Sequence, residues 1–216
     1  LAQIGYNQAM EKKIVHVGLK YSGMSDLEFR DGVPRDNSLA NFSSFGLALD
    51  AGVSIKRETH KFGLSLSYIH MGLYTEQSKG MGLNFGYMRT FKRGLTMGLS
   101  IQNLGKMTKL IKESPALPTR FTAGISKQLK FNEYKNTVYG SLELNPVTST
   151  SKYYFGNQFR WDRLSILAGF SASDSVIESS LGFGLHLNRY QVNYGIKVGS
   201  QNLGLPQFVS LKLTLP

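Results

Sequence analysis

The chain has 216 residues, 41% hydrophobic and 12% aromatic, with only 18% charged and no cysteine, which excludes disulfide frameworks, thiolate metal sites and cysteine nucleophiles. The charged share lies below the roughly one quarter of an average soluble domain, while a mean hydropathy of −0.18 and the lack of any run near ~18 apolar residues exclude a membrane helix. The net charge of +11 raises a nucleic-acid reading, but the Lys and Arg residues carry no nucleic-acid motif or dense cluster, so no nucleic-acid partner is expected.

Alternation begins at residues 13–22, where Val15, Val17, Leu19 and Tyr21 oppose His16, Gly18 and Lys20. Successive strand side chains point to opposite faces, so each such stretch has one apolar and one small, polar face. Residues 24–41, rich in Asp, Asn, Pro and Gly, read as a long loop. Residues 43–56 set Phe45, Leu47, Leu49, Val53 and Ile55 against Gly46, Asp50, Gly52, Ser54 and Lys56. After a charged turn at 57–60, Phe62, Leu64, Leu66 and Tyr68 oppose Gly63, Ser65 and Ser67. The next two strands form a hairpin. Met81, Leu83, Phe85 and Tyr87 are followed, across the turn Phe91-Lys92-Arg93-Gly94, by Leu95, Met97, Leu99 and Ile101. A second long loop is expected at 105–118. Six further stretches alternate in the same way: Phe121 to Ile125, Val138 to Leu144, Tyr153 to Trp161, Leu164 to Phe170, Leu181 to Leu187 and Tyr190 to Val198. A last one runs from Val209 to Leu215. The expectation is about twelve strands, all β, of the length that crosses a bilayer at a tilt, with no helix.

The connections carry separate information. Short ones at 57–60, 91–94, 130–136, 161–163 and 188–189 alternate with longer ones at 24–41, 72–79, 105–118, 146–151, 172–176 and 200–206. In an antiparallel up-and-down sheet this puts the two sets on opposite edges, as short periplasmic turns and longer outer loops do in outer-membrane barrels. The reading is one transmembrane up-and-down antiparallel β-barrel domain over 1–216. The apolar face meets lipid, and Tyr68, Tyr87, Phe91, Trp161 and Tyr190 are candidates for interfacial girdles. A soluble β-sandwich is the rival, with strands nearer five or six residues.

Particular words add to the pattern. Gly98-Leu99-Ser100-Ile101-Gln102-Asn103-Leu104-Gly105, then a loop, then Pro115-Ala116-Leu117-Pro118-Thr119-Arg120-Phe121 through Ser126 resembles the PorV/PorQ family of outer-membrane barrels, which is related to the FadL-type transporters. The resemblance implies about fourteen strands in the complete fold, with this chain beginning near the second. It implies a non-enzymatic subunit or binding platform of a type IX secretion-like machine, among outer-membrane lipid, lipopolysaccharide and other envelope or secretion proteins. The FadL relation implies the alternative, passage of hydrophobic small molecules. The chain opens without a signal peptide or an initiator Met, so a processed or truncated form is expected. The final Pro216 departs from the aromatic end of many outer-membrane proteins.

No catalytic, cofactor or metal site is expected. The four His lack metal-ligand spacing, and Ser180, His186 and Asp174 are not framed by a nucleophile elbow. The informative polar groups are His16, Lys20, Asp50, Lys56, Glu143, His186 and Lys197, all on the polar face of their strands. Isolated charge in a confined interior is costly, so these are expected to pair or meet water. The functional alternative is a charged constriction. Loop residues Arg30, Asp31, Arg35, Lys106, Lys109 and Lys112 are candidate partner contacts, because loops carry function on a rigid scaffold.

Overall fold

The computed structural model describes every residue except 31–35, 37, 132, 202, 203 and 216. It is built from thirteen strands: β1 (Ala2–Ala9), β2 (Lys13–Phe29), β3 (Ala40–Arg57), β4 (His60–Leu73), β5 (Glu76–Thr90), β6 (Leu95–Met107) and β7 (Arg120–Lys130), then β8 (Tyr134–Asn145), β9 (Thr150–Trp161), β10 (Leu164–Ser173), β11 (Ile177–Leu187), β12 (Tyr190–Gly199) and β13 (Gln207–Leu213). A single 3-10 turn at Lys92–Gly94 is the one helical feature among the described residues. Strands pair in sequence order in one sheet, so each neighbour in the chain is a neighbour in space. The chain forms two compact units, Leu1–Tyr87 with Ser100–Arg120, and Met88–Leu99 with Phe121–Pro216.

Four sequence expectations are corrected here. The thirteenth strand is β1, whose residues Ala2 to Ala9 pair with Tyr21 to Ile14; only Ile4 and Tyr6 supply large apolar side chains to its apolar face, and Gln8 takes the next such position, so the alternation is too short to stand out. The expected loop at 24–41 is shorter, because β2 continues through Phe29 across a bulge between Met24 and Leu27. A bulge shifts the register of apolar residues by one, which breaks a period-2 reading while leaving the strand intact. The expected loop at 72–79 is a tight connection at Tyr74 and Thr75 between β4 and β5. Lys106 lies inside β6 rather than in the following loop.

The register places the apolar residues of each strand on one face and the small and polar ones on the other, within each unit. In the first unit Leu49 pairs with Leu19 and Tyr68, and Asp50 with Gly18 and Ser67. In the second, Phe183 pairs with Ile166 and Tyr194, and Gly182 with Leu167 and Gly195. The apolar faces are open: Leu181 is 61% and Leu211 68% exposed. Among the described residues only Met107 and Leu117 are buried apolar side chains. A soluble sandwich buries its apolar faces against each other, and neither unit does so.

Candidate functional site

The site is built on the polar faces, one unit at a time. In the first unit a polar ladder crosses the strands. Lys20 Nζ of β2 lies 3.5 Å from Asp50 Oδ2 of β3. Asp50 Oδ1 accepts a hydrogen bond from Ser67 Oγ of β4 at 2.8 Å. Asn84 Nδ2 of β5 donates to Ser65 Oγ and Ser67 Oγ, both at 3.0 Å. Asn84 Oδ1 accepts from the backbone N–H of Asn103 in β6 at 2.8 Å. The period-2 pattern puts Lys20, Asp50, Ser65, Ser67 and Asn84 on one face, and the left-handed backbone of Asn103 turns its N–H to the same ladder, so each group finds a partner on a neighbouring strand, as confined polar groups require.

The ladder ends on a segment folded back on the same face. Asn103 Nδ2 donates to Pro118 O at 3.1 Å, and Thr119 Oγ1 donates to Asn103 O at 3.1 Å. Leu117 is buried, its Cδ1 3.6 Å from where a Cβ on Gly82 would stand. At the other end Ser78 Oγ donates to Thr108 O at 2.6 Å. Close approach is what the glycines permit, since a Cβ on Gly105 would collide with the Met81 carbonyl. Asn103 and the run Leu117-Pro118-Thr119 therefore hold segment 108–119 on this face.

In the second unit the polar face holds a cavity of about 400 Å³. Its floor is glycine: Gly156 of β9 pairs with Gly169 of β10, and Gly182 of β11 with Gly195 of β12. Tyr139, Leu167 and Phe208 give it apolar walls, and Asn193, Lys197 and Ser210 a polar margin. The two glycine pairs leave a trough between Ser180, which stands opposite Gly169, and Leu167, which stands opposite Gly182. Tyr139 is fixed by donating to Gln158 Oε1 at 3.0 Å.

Beside this cavity Glu178 gathers the local charge. Its Oε2 meets Lys152 Nζ in a short contact and accepts from Ser171 Oγ at 3.0 Å. Its Oε1 accepts from Lys197 Nζ at 3.1 Å. Lys152 Nζ also stands 5.4 Å from the centre of the Tyr154 ring, and Tyr154 hydroxyl donates to Glu143 Oε2 at 3.4 Å. Glu143 and Lys197 thus belong to one network whose centre, Glu178, sequence reasoning missed. A signal was present: Glu178 shares its face with Ser180, Gly182 and His186, at the strand start where Lys197 pairs one step away.

The other expected residues are spread out. His16 lies against Gly52 of β3. Lys56 is exposed and pairs in register with Lys61. His186 Nδ1 lies 3.3 Å from Arg163 O. Arg30 donates to Glu28 at 2.7 Å. Lys109 and Lys112 sit on segment 108–119, where Leu110 N–H donates to Glu113 O at 2.8 Å. Asp31 and Arg35 lie outside the described residues. No group of three metal-ligating side chains occurs among the described residues.

The fold is similar to that of a known transporter. The crystal structure of the Pseudomonas putida toluene transporter TodX matches with a TM-score of 0.64, covering 90% of this chain and 76% of that one at 11% identity. At such low identity the likeness is one of fold alone, an up-and-down antiparallel β-barrel. It does not single out the PorV/PorQ family. No family model matches the chain, and no curated protein does.

Proposed function

We propose that this protein is a non-enzymatic outer-membrane β-barrel that binds and passes apolar small molecules of about single-ring size. The observation that carries this reading is the glycine-floored cavity of about 400 Å³ with Tyr139, Leu167 and Phe208 as walls. Its volume is within the ~300–1,000 Å³ typical of small-molecule sites, and an apolar lining with few polar groups is their usual chemistry. The fold likeness to a toluene transporter supports the same class of substrate. It favours this reading over the secretion platform, for which the Gln102 to Phe121 stretch was the main support. That stretch has a structural role here, holding segment 108–119.

Open apolar faces support a lipid environment, since exposed apolar surface of this extent is unfavourable in water. Aromatic clusters at two levels of the first unit add to this. His60, Phe62 and Tyr87 group at one edge, with Phe62 and Tyr87 5.1 Å apart. Phe29, Phe42 and Tyr74 group at the other. Twelve residues of β4 and its turn separate Phe62 from Tyr74, about 40 Å along the strand. At a ~45° tilt that spans ~28 Å, close to the ~25 Å apolar band of such barrels.

The test is whole-cell uptake of radiolabelled toluene by a Gram-negative host expressing the protein, against Gly195→Leu. A Cβ at Gly195 meets only Leu181 O at 3.5 Å, ordinary contact, so the longer side chain fills the cavity without moving backbone. Uptake several-fold above vector, returned to vector by Gly195→Leu, is the expected result. Vector-level uptake by folded protein in the outer-membrane fraction would refute the reading.

A further inference from the structure

Charge in the second unit is distributed unevenly between its edges. Its short connections, 91–94, 131–133, 162–163 and 188–189, lie at one edge, because alternate connections of an up-and-down sheet share an edge. Lys127 Nζ of β7 donates to Arg93 O at 2.7 Å, which fixes the β5–β6 turn beside the end of β7. Within a few residues of this edge stand ten Lys and Arg side chains and two carboxylates, Glu133 and Asp162. The opposite edge holds Lys152 and Lys197 against Glu143, Asp174 and Glu178. One edge of this unit is therefore strongly positive and the other almost neutral.

The cations are not spent on internal pairs. Lys92, Arg163 and Arg189 sit at turn tips without an ion-pair partner among the described residues. On the polar face Lys130 pairs in register with Lys135, and Lys135 with Arg160. Like charges directly opposite are destabilising, so this row raises the field without relieving it. On the apolar face the same edge is aromatic. Phe131 stacks on Tyr134 at 4.8 Å, Tyr134 lies 5.3 Å from Phe159, and Arg89 lies over Phe91 at 4.8 Å. Trp161 is 55% exposed beside them.

We infer that the short-turn edge of the second unit, through Lys92, Arg163 and Arg189, binds the phosphate headgroups of anionic phospholipid in the leaflet it meets. The inference rests on the membrane reading above. Aromatic rings settle at headgroup level, and cations at that level meet lipid phosphate directly, each worth roughly a fivefold change in affinity near an anionic surface. An acidic soluble partner would need the charge but not the aromatic belt beside it, which favours lipid.

The experiment uses the full chain in nanodiscs of equimolar phosphatidylglycerol and phosphatidylethanolamine, released into native mass spectrometry at low salt. The variant is Lys92→Gln with Arg163→Gln and Arg189→Gln. Lys92 is chosen over Arg93 because Arg93 holds a φ of 60°. The control is Lys106→Gln with Lys109→Gln and Lys112→Gln. Wild type and control should retain phosphatidylglycerol over phosphatidylethanolamine by about tenfold or more, and the turn variant by less than about twofold. Incorporation into nanodiscs in the folded, heat-modifiable form tests the membrane reading separately. Folded wild type without phosphatidylglycerol preference, or a turn variant that keeps it, would overturn the inference.

Discussion

At the residue scale, glycine identity on the polar face of the second unit is set by different neighbours at different positions. A Cβ on Gly182 would stand 2.9 Å from the Tyr194 carbonyl oxygen, whereas one on Gly195 meets only ordinary contact. Gly182→Ala should therefore destabilise by about 1–3 kcal/mol, and Gly195→Ala by well under half of that, read from unfolding midpoints in detergent. Glu178 gives a second contrast. It serves Lys152, Lys197 and Ser171 at once, with its side chain 18% exposed. Glu178→Gln should lower stability by about 1–2 kcal/mol, because two partly exposed ammonium groups lose their counter-charge and solvent screens the rest. Lys197→Gln should have the smaller effect, since Lys152 remains to pair with Glu178. The face on which Glu178 lies was readable from alternation with Ser180 and Gly182. Its partners were not, because the registers of β9, β10, β11 and β12, and not their order alone, bring Lys152 and Lys197 beside it.

At the element scale, segment 108–119 departs most from a sequence reading. Its Pro and Lys content resembles a free surface loop, yet Leu117 is 5% exposed and Asn103 holds Pro118 from below. Backbone conformation contributes as well, since Asn103 adopts a φ of 57°, a left-handed geometry that Asn tolerates better than most residues. Leu117→Asn should release the segment, because the buried apolar contact with the β5 face is its main anchor. Tryptic cleavage after Lys109 or Lys112 should then accelerate several-fold, with cleavage elsewhere unchanged; equal rates would mean that hydrogen bonds alone hold the segment. The strands themselves were legible wherever alternation ran unbroken, as in β3, β11 and β12. They were misjudged where a bulge reset the period in β2, and where β1 offers only Ile4 and Tyr6 as large apolar side chains on its apolar face.

At the scale of the whole molecule, the open apolar faces lead to a solubility prediction. The protein should stay in solution only with detergent or lipid, and should run as a folded band on gels until heated. Stable detergent-free solution at micromolar concentration would restore the sandwich. The sequence by itself determined the all-β class, the two-faced strands and the up-and-down order, because a period of two is a local property of the backbone. It also set the total charge and the supply of glycine on the polar face. Only the tertiary structure decided that the glycine pairs Gly156–Gly169 and Gly182–Gly195 fall under one cavity, that Glu178 rather than Glu143 centres the ion network, and that cations distant in sequence share one edge. Those outcomes depend on register, which pairs residues far apart in the chain and leaves no trace in the spacing within any one strand.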